Sequence, residues 1–147
     1  MFEEIIETWY LSAAPIAIYS IICWVNAAKI NRVFQETGRA IRFDRDLQLV
    51  REAINFNMMW AVIAGGFYLL YFFAMAYQLA TGGLTAYVAG FHFTALALVT
   101  YVGGRKSKKL EAELKTMHVA SADPGLRFTY DRWIRQWGEA RLRLSDE

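Results

Sequence analysis

The sequence predicts an all-α integral membrane protein: three transmembrane helices with the N-terminus outside and the C-terminus inside, cytoplasmic helical extensions, and a C-terminal amphipathic helix. Three observations carry that expectation. The composition is 56% hydrophobic and 16% aromatic, well above the soluble norm. The fifty-two residues from Ala53 to Gly104 contain no Asp, Glu, Lys or Arg. All sixteen basic residues fall in two segments, six in 29–52 and ten in 105–147, while residues 1–28 hold three acids and no Lys or Arg.

The charge-free run divides at "QLATGGLTAY", where Thr81, Gly82 and Gly83 supply the backbone freedom of a tight reversal. A hydrocarbon core of about 30 Å needs about twenty helical residues, so the run holds two spans, about 53–80 and 84–104. An earlier uncharged run, "WYLSAAPIAIYSIICWVNAA", makes the first span, about 9–28, with Trp9, Tyr10 and Trp24 as interfacial rings. Its leader, "MFEEIIE", is acidic and the apolar run exceeds a signal-peptide core, so it reads as a retained span. Pro15 near its start is tolerable in a membrane helix. Cys23, the single cysteine, reads as a packed thiol.

Residues 1–104 thus form the three-span region, with 29–52 as a cytoplasmic loop, and 105–147 form a cytoplasmic helical tail. The positive-inside rule places both basic segments in the cytoplasm, which locates the protein in a bacterial inner membrane as a multi-pass chain. Topology and anionic lipid account for the basic clusters, so nucleic acid is not expected as a partner.

Helical periodicity extends beyond the spans. Phe43, Leu47, Val50 and Ile54 recur on one face with Asp44 as N-cap, predicting a second helix of about 37 residues and about 55 Å. Leu110, Leu114 and Met117 continue the third helix inward, and Gly38 is the expected break in the loop. Asp123 followed by Pro124 starts a final helix. Its face of Leu126, Tyr130, Trp133, Ile134 and Trp137, opposed by Arg127, Asp131, Arg132 and Arg135, is expected to dock on a membrane surface or a partner, with packing against the chain's own helices as the alternative.

Candidate site residues are few. His92 is the one Asp, Glu, Lys, Arg or His inside the spans, and intramembrane ionisable residues are functional candidates. Polar side chains also bind helices together, which is the favoured role for His92. Asn26, Asn55 and Asn57 sit at span ends and read as structural unless Asn26 faces the others. Ala13 and Ala17, Ala61 and Gly65, and Ala86 and Gly90 give each span a strip of small residues for helix packing. No phosphate loop, HExxH, metal-spaced Cys pair or nucleophile elbow is present, so no catalytic residue, metal or cofactor is expected.

The expected function is a small non-enzymatic inner-membrane subunit that scaffolds or docks within a larger membrane protein complex, its partners being the lipid bilayer and other subunits in a homo- or hetero-oligomer. The order of parts resembles, by topology alone, the proton-driven energiser and stator proteins, which implies the alternative of an oligomeric proton-conducting protein. A second alternative, a redox anchor subunit binding haem or quinone, rests on His92.

Overall fold

A computed structural model of the chain describes residues 2–139 and 142–145. Its elements are α1 (Phe2–Glu7), α2 (Tyr10–Thr37), β1 (Ala40–Ile41), α3 (Asp44–Ala80), α4 (Ala86–Lys115), β2 (His118–Val119) and α5 (Pro124–Trp137). Three helices, α2, α3 and α4, are long and apolar enough to cross a membrane. The chain is mostly helical and of multi-pass membrane type.

Each boundary has a local cause. Pro15 lies inside α2 without ending it. That helix stops where Gly38 turns left-handed at φ 61°, with Arg39 following at 63°, a conformation glycine takes without steric cost. Helix α3 begins at Asp44, but its capping acid is Asp46. The Asp46 carboxylate accepts the backbone N–H of Arg42 at 2.9 Å and of Phe43 at 3.2 Å, the reach-back half of a capping box. The reversal after α3 passes through Gly82 at φ 74°. The Asp123 Oδ1 accepts the Gly125 N–H at 2.8 Å to cap α5, with Pro124 at the first helical position.

Two compact units emerge, and α2, α3 and α4 contribute to both. The first comprises residues 1–23 and 64–105, the second residues 24–63 and 106–147. The first unit has a small buried cluster of Met75, Leu84, Val88 and Ala89, with Ile5, Leu11 and Tyr71 against it. Its large apolar side chains, among them Leu70, Phe72, Phe73, Tyr77, Phe91 and Leu98, are exposed, as lipid-facing positions are. The Tyr19 hydroxyl donates to the Thr100 carbonyl at 3.1 Å, and a Cβ at Gly104 would come within 2.5 Å of that hydroxyl.

The second unit carries the larger core. Ile30, Val33 and Phe34 of α2, Leu47, Val50 and Ile54 of α3, and Leu110 and Leu114 of α4 are buried together with α5 and Leu144. Phe43, expected on the same face, is exposed because it precedes the helix. Ala40 pairs with His118 and Ile41 with Val119 in a two-residue parallel ladder, extended by the Ala120 N–H donating to the Ile41 carbonyl at 2.8 Å.

The tail helix departs from its expected role. Leu126, Tyr130, Trp133 and Trp137 are buried in this core and Ile134 packs against it, so the aromatic face meets the chain's own helices instead of a membrane surface or partner. Trp133 is only 2% exposed. Arg51 lies over the Trp133 ring at 5.2 Å and Lys115 over the Trp137 ring at 4.8 Å, so cations close the outer side of both indoles. The Tyr130 hydroxyl donates to the Leu114 carbonyl at 2.6 Å and accepts the Met117 N–H at 3.1 Å. That closes the end of α4, where carbonyls lack helical partners.

Candidate functional site

Two polar clusters interrupt the apolar packing, one in each unit. In the first, His92 is completely buried. Its Nε2 lies 3.0 Å from the Thr8 hydroxyl and its Nδ1 lies 3.1 Å from the Ser12 hydroxyl. The Thr8 hydroxyl spends its one hydrogen on the Glu4 carbonyl at 2.6 Å. It must therefore accept from the imidazole, which assigns a proton to Nε2. Nδ1 shares the Ser12 hydroxyl with the Trp9 carbonyl, which lies 3.3 Å from the same oxygen.

The local sequence makes this meeting possible. Thr8 and Ser12 are one helical turn apart around the start of α2 and present two hydroxyls to one side. His92 sits on the same face of α4 as Val88, four residues earlier, which is also buried. Each imidazole nitrogen has a hydroxyl in the one place a ligand or proton carrier would use. No carboxylate side chain touches the ring among the described residues.

The second cluster gathers four helices around one carboxylate. The Oε1 of Glu111 on α4 accepts from the Asn26 amide of α2 at 2.9 Å, from the Asn57 amide of α3 at 2.9 Å, and from Ser107 one turn earlier at 3.1 Å. The Asn57 Oδ1 in turn accepts the Trp137 indole N–H of α5 at 2.8 Å. Asn26 Nδ2 also lies 2.9 Å from the Ser107 hydroxyl, while its Oδ1 is buried without a partner. Asn26 thus does face Asn57, the condition under which the asparagines become more than separate span ends.

Asn55 is not part of this group. Its Oδ1 accepts the Leu144 N–H at 2.6 Å, holding the residues after α5, which Gln136 secures further through Ser145. Compared with known protein families, characterised proteins and solved structures, the chain matches none of them.

Charge-assisted bonds to a carboxylate are about twice as strong as neutral ones, so Glu111 fastens α2, α3 and, through Asn57, α5 to α4. Sequence reasoning overlooked Glu111 and Ser107 because they stand in "RKSKKLEAELK", which reads as a solvated face. The detectable signal was Ser107, an uncharged residue among four cations with an acid at the next turn. Among the described residues no three His, Cys, Asp or Glu side chains gather as they would around a metal ion.

The small-residue strips lie apart from both clusters. Ala17, Ala61, Gly65, Ala86 and Gly90 are exposed and Ala13 is half-buried. A Cβ placed on Gly65 or Gly90 meets nothing within 4 Å. The two glycines therefore do not serve close helix packing within the chain, because no neighbouring element approaches them.

Proposed function

We propose that the protein is a non-enzymatic, multi-pass subunit of a bacterial inner membrane, N-terminus outside and C-terminus cytoplasmic, that docks within a larger membrane assembly through the faces of its spans. The observation that carries this reading is the openness of the small-residue strips. Small residues matter in membranes because they let two helix backbones approach, and here Gly65 and Gly90 have room for another helix. The aromatic face of α5, the other docking surface the sequence offers, is already filled.

The two alternatives find less support. Proton conduction needs a chain of titrating groups, whereas His92 ends on two hydroxyls and the spans carry no acid. A haem ligand must free an imidazole nitrogen, and both nitrogens are occupied by hydroxyls. Orientation rests on the sixteen basic residues and the positive-inside rule.

Photocrosslinking groups placed at Ala17, Gly65 and Gly90 in the native membrane test the docking directly. A defined protein adduct from these positions, either a second copy or one recurring membrane subunit, is the expected result. Lipid adducts alone, with the chain monomeric after extraction into nanodiscs, would overturn it.

A further inference from the structure

A groove between α2 and α3 in the second unit is built like a phospholipid site. One cavity of about 460 Å³ is lined by Val25, Lys29, Val33, Leu49, Glu52 and Phe56, with Ala28 and Arg32. Another of about 520 Å³ shares Lys29, Glu52 and Phe56 and adds Asn55, Met59, Leu142 and Arg143. Both fall in the size range of small-molecule sites, about 300–1,000 Å³. We propose that this groove binds one anionic phospholipid, its phosphodiester between Lys29 and Arg143 and an acyl chain along Val25, Phe56 and Met59.

Charge and depth both favour that occupant. Lys29 rests its ammonium 4.6 Å from the centre of the Phe56 ring and, among the described residues, has no carboxylate within ion-pairing distance. Arg32 is already engaged by Glu36 at 2.6 Å. In the second cavity Lys29 and Arg143 bring two positive charges and Glu52 one negative, leaving one net positive charge in its walls. That matches a phosphodiester of single charge, while Glu52 opposes a doubly charged phosphate.

Trp24, beside Val25, is 73% exposed and marks the headgroup level. Lys29 lies five residues, about 7.5 Å of helix, beyond it. On α3 the uncharged run begins at Ala53, so Phe56 and Met59 enter the apolar side. Leu142 is exposed at the mouth, available to a chain but idle against a soluble anion. The inference rests on the spans crossing a membrane and is independent of any docking partner.

Full-length protein in nanodiscs of equal phosphatidylglycerol and phosphatidylcholine is released into mild detergent, and the retained lipid is identified by native mass spectrometry. One phosphatidylglycerol retained in preference to phosphatidylcholine is expected. Lys29→Gln with Arg143→Gln should lower that preference about tenfold or more, since each cation near the surface contributes to anionic-lipid attraction. Lys108→Gln with Lys109→Gln, cations outside the groove, should leave it intact. In nanodiscs that also contain phosphatidic acid, Glu52→Gln should admit that lipid, whose phosphate carries more charge. Tryptophan fluorescence at the parent value confirms that each variant is folded. Equal loss from both double variants would mean diffuse surface charge and overturn the site. Displacement of the lipid by glycerol phosphate at matched concentration would make it a soluble-phosphate site and overturn the lipid assignment.

Discussion

Asn57 and Glu111, fifty-four positions apart in sequence, meet at 2.9 Å, and through that bond the tail helix is joined to two membrane-spanning helices. Glu111 receives three donors on one oxygen. Removing it with Glu111→Ala leaves amide and hydroxyl groups facing a space only partly open to water, at about 1–3 kcal/mol. Glu111→Gln retains a carbonyl acceptor and should cost less. Denaturant unfolding in detergent, followed by tryptophan emission, orders the three proteins; equal stability of parent and Glu111→Ala would show that the cluster holds nothing.

The tail should be secured mainly by burial, with the Trp137 hydrogen bond secondary. Trp133→Ala empties a fully enclosed site and should cost about 3–5 kcal/mol, whereas Trp137→Phe keeps most of the ring and loses one hydrogen bond, about 1 kcal/mol. Replacing both indoles with Ala should leave membrane insertion unchanged and expose residues 124–139 to protease. A double variant that resists cleavage as well as the parent would mean that the tail is held by other contacts.

These two clusters show where sequence alone reaches its limit. Helix α3 was legible from end to end, because charge vanishes at Ala53 and a turn signal follows Ala80, and the expected length of about 37 residues agrees with Asp44–Ala80. Asp123 and Pro124 announced α5 equally well, since a cap is a local device. The destination of its aromatic face was not legible: a Trp-rich stripe has the same pattern whether it meets lipid, a partner or its own chain. The Glu111 cluster depends on the rotation of four helices about their axes, which the periodicity of any one of them leaves open. The small-residue strips failed for the same reason, as spacing identifies a face but not what lies opposite.

Alkaline pH should loosen the second unit through Tyr130. Burial pushes its phenol up to about 12, against about 10 in an unfolded chain. Below the unfolded value both states keep the proton and the stabilisation is complete. Between the two values the unfolded chain releases a proton that the folded chain retains, so stability falls as pH rises and is lost through the folded value. Tyr130→Phe should be weaker at neutral pH, having lost bonds to Leu114 and Met117, but should show a shallower decline between about pH 9 and 11 than the parent. Parallel pH profiles of the denaturation midpoint would remove Tyr130 as the cause.

Orientation is open to a direct test. A cytoplasm-active reporter fused after Glu147 and a periplasm-active reporter inserted between Thr81 and Gly83 should both give signal, because sixteen basic residues lie in the two segments assigned inside. A C-terminus that reports outside would reverse the layout.

His92 separates structural from chemical use of the membrane interior. Its ring donates through Nε2 to Thr8 and pairs through Nδ1 with Ser12, and Gln also offers a donor and an acceptor at the end of a side chain. Polar contacts between membrane helices contribute about 0.6 kcal/mol on average, so His92→Gln should leave assembly and function close to the parent. His92→Leu, of comparable bulk but without polar atoms, leaves Thr8 and Ser12 without the imidazole and should weaken the first unit by more than Gln does. A group that carries protons or ligates haem behaves differently: Gln can neither titrate near neutral pH nor bind iron as imidazole does, so function would vanish while the assembly stayed intact. The order Gln near parent and Leu weakened belongs to a structural histidine. Loss of function with Gln in a correctly assembled complex would show that His92 does chemistry, with any missing partner group supplied by another subunit.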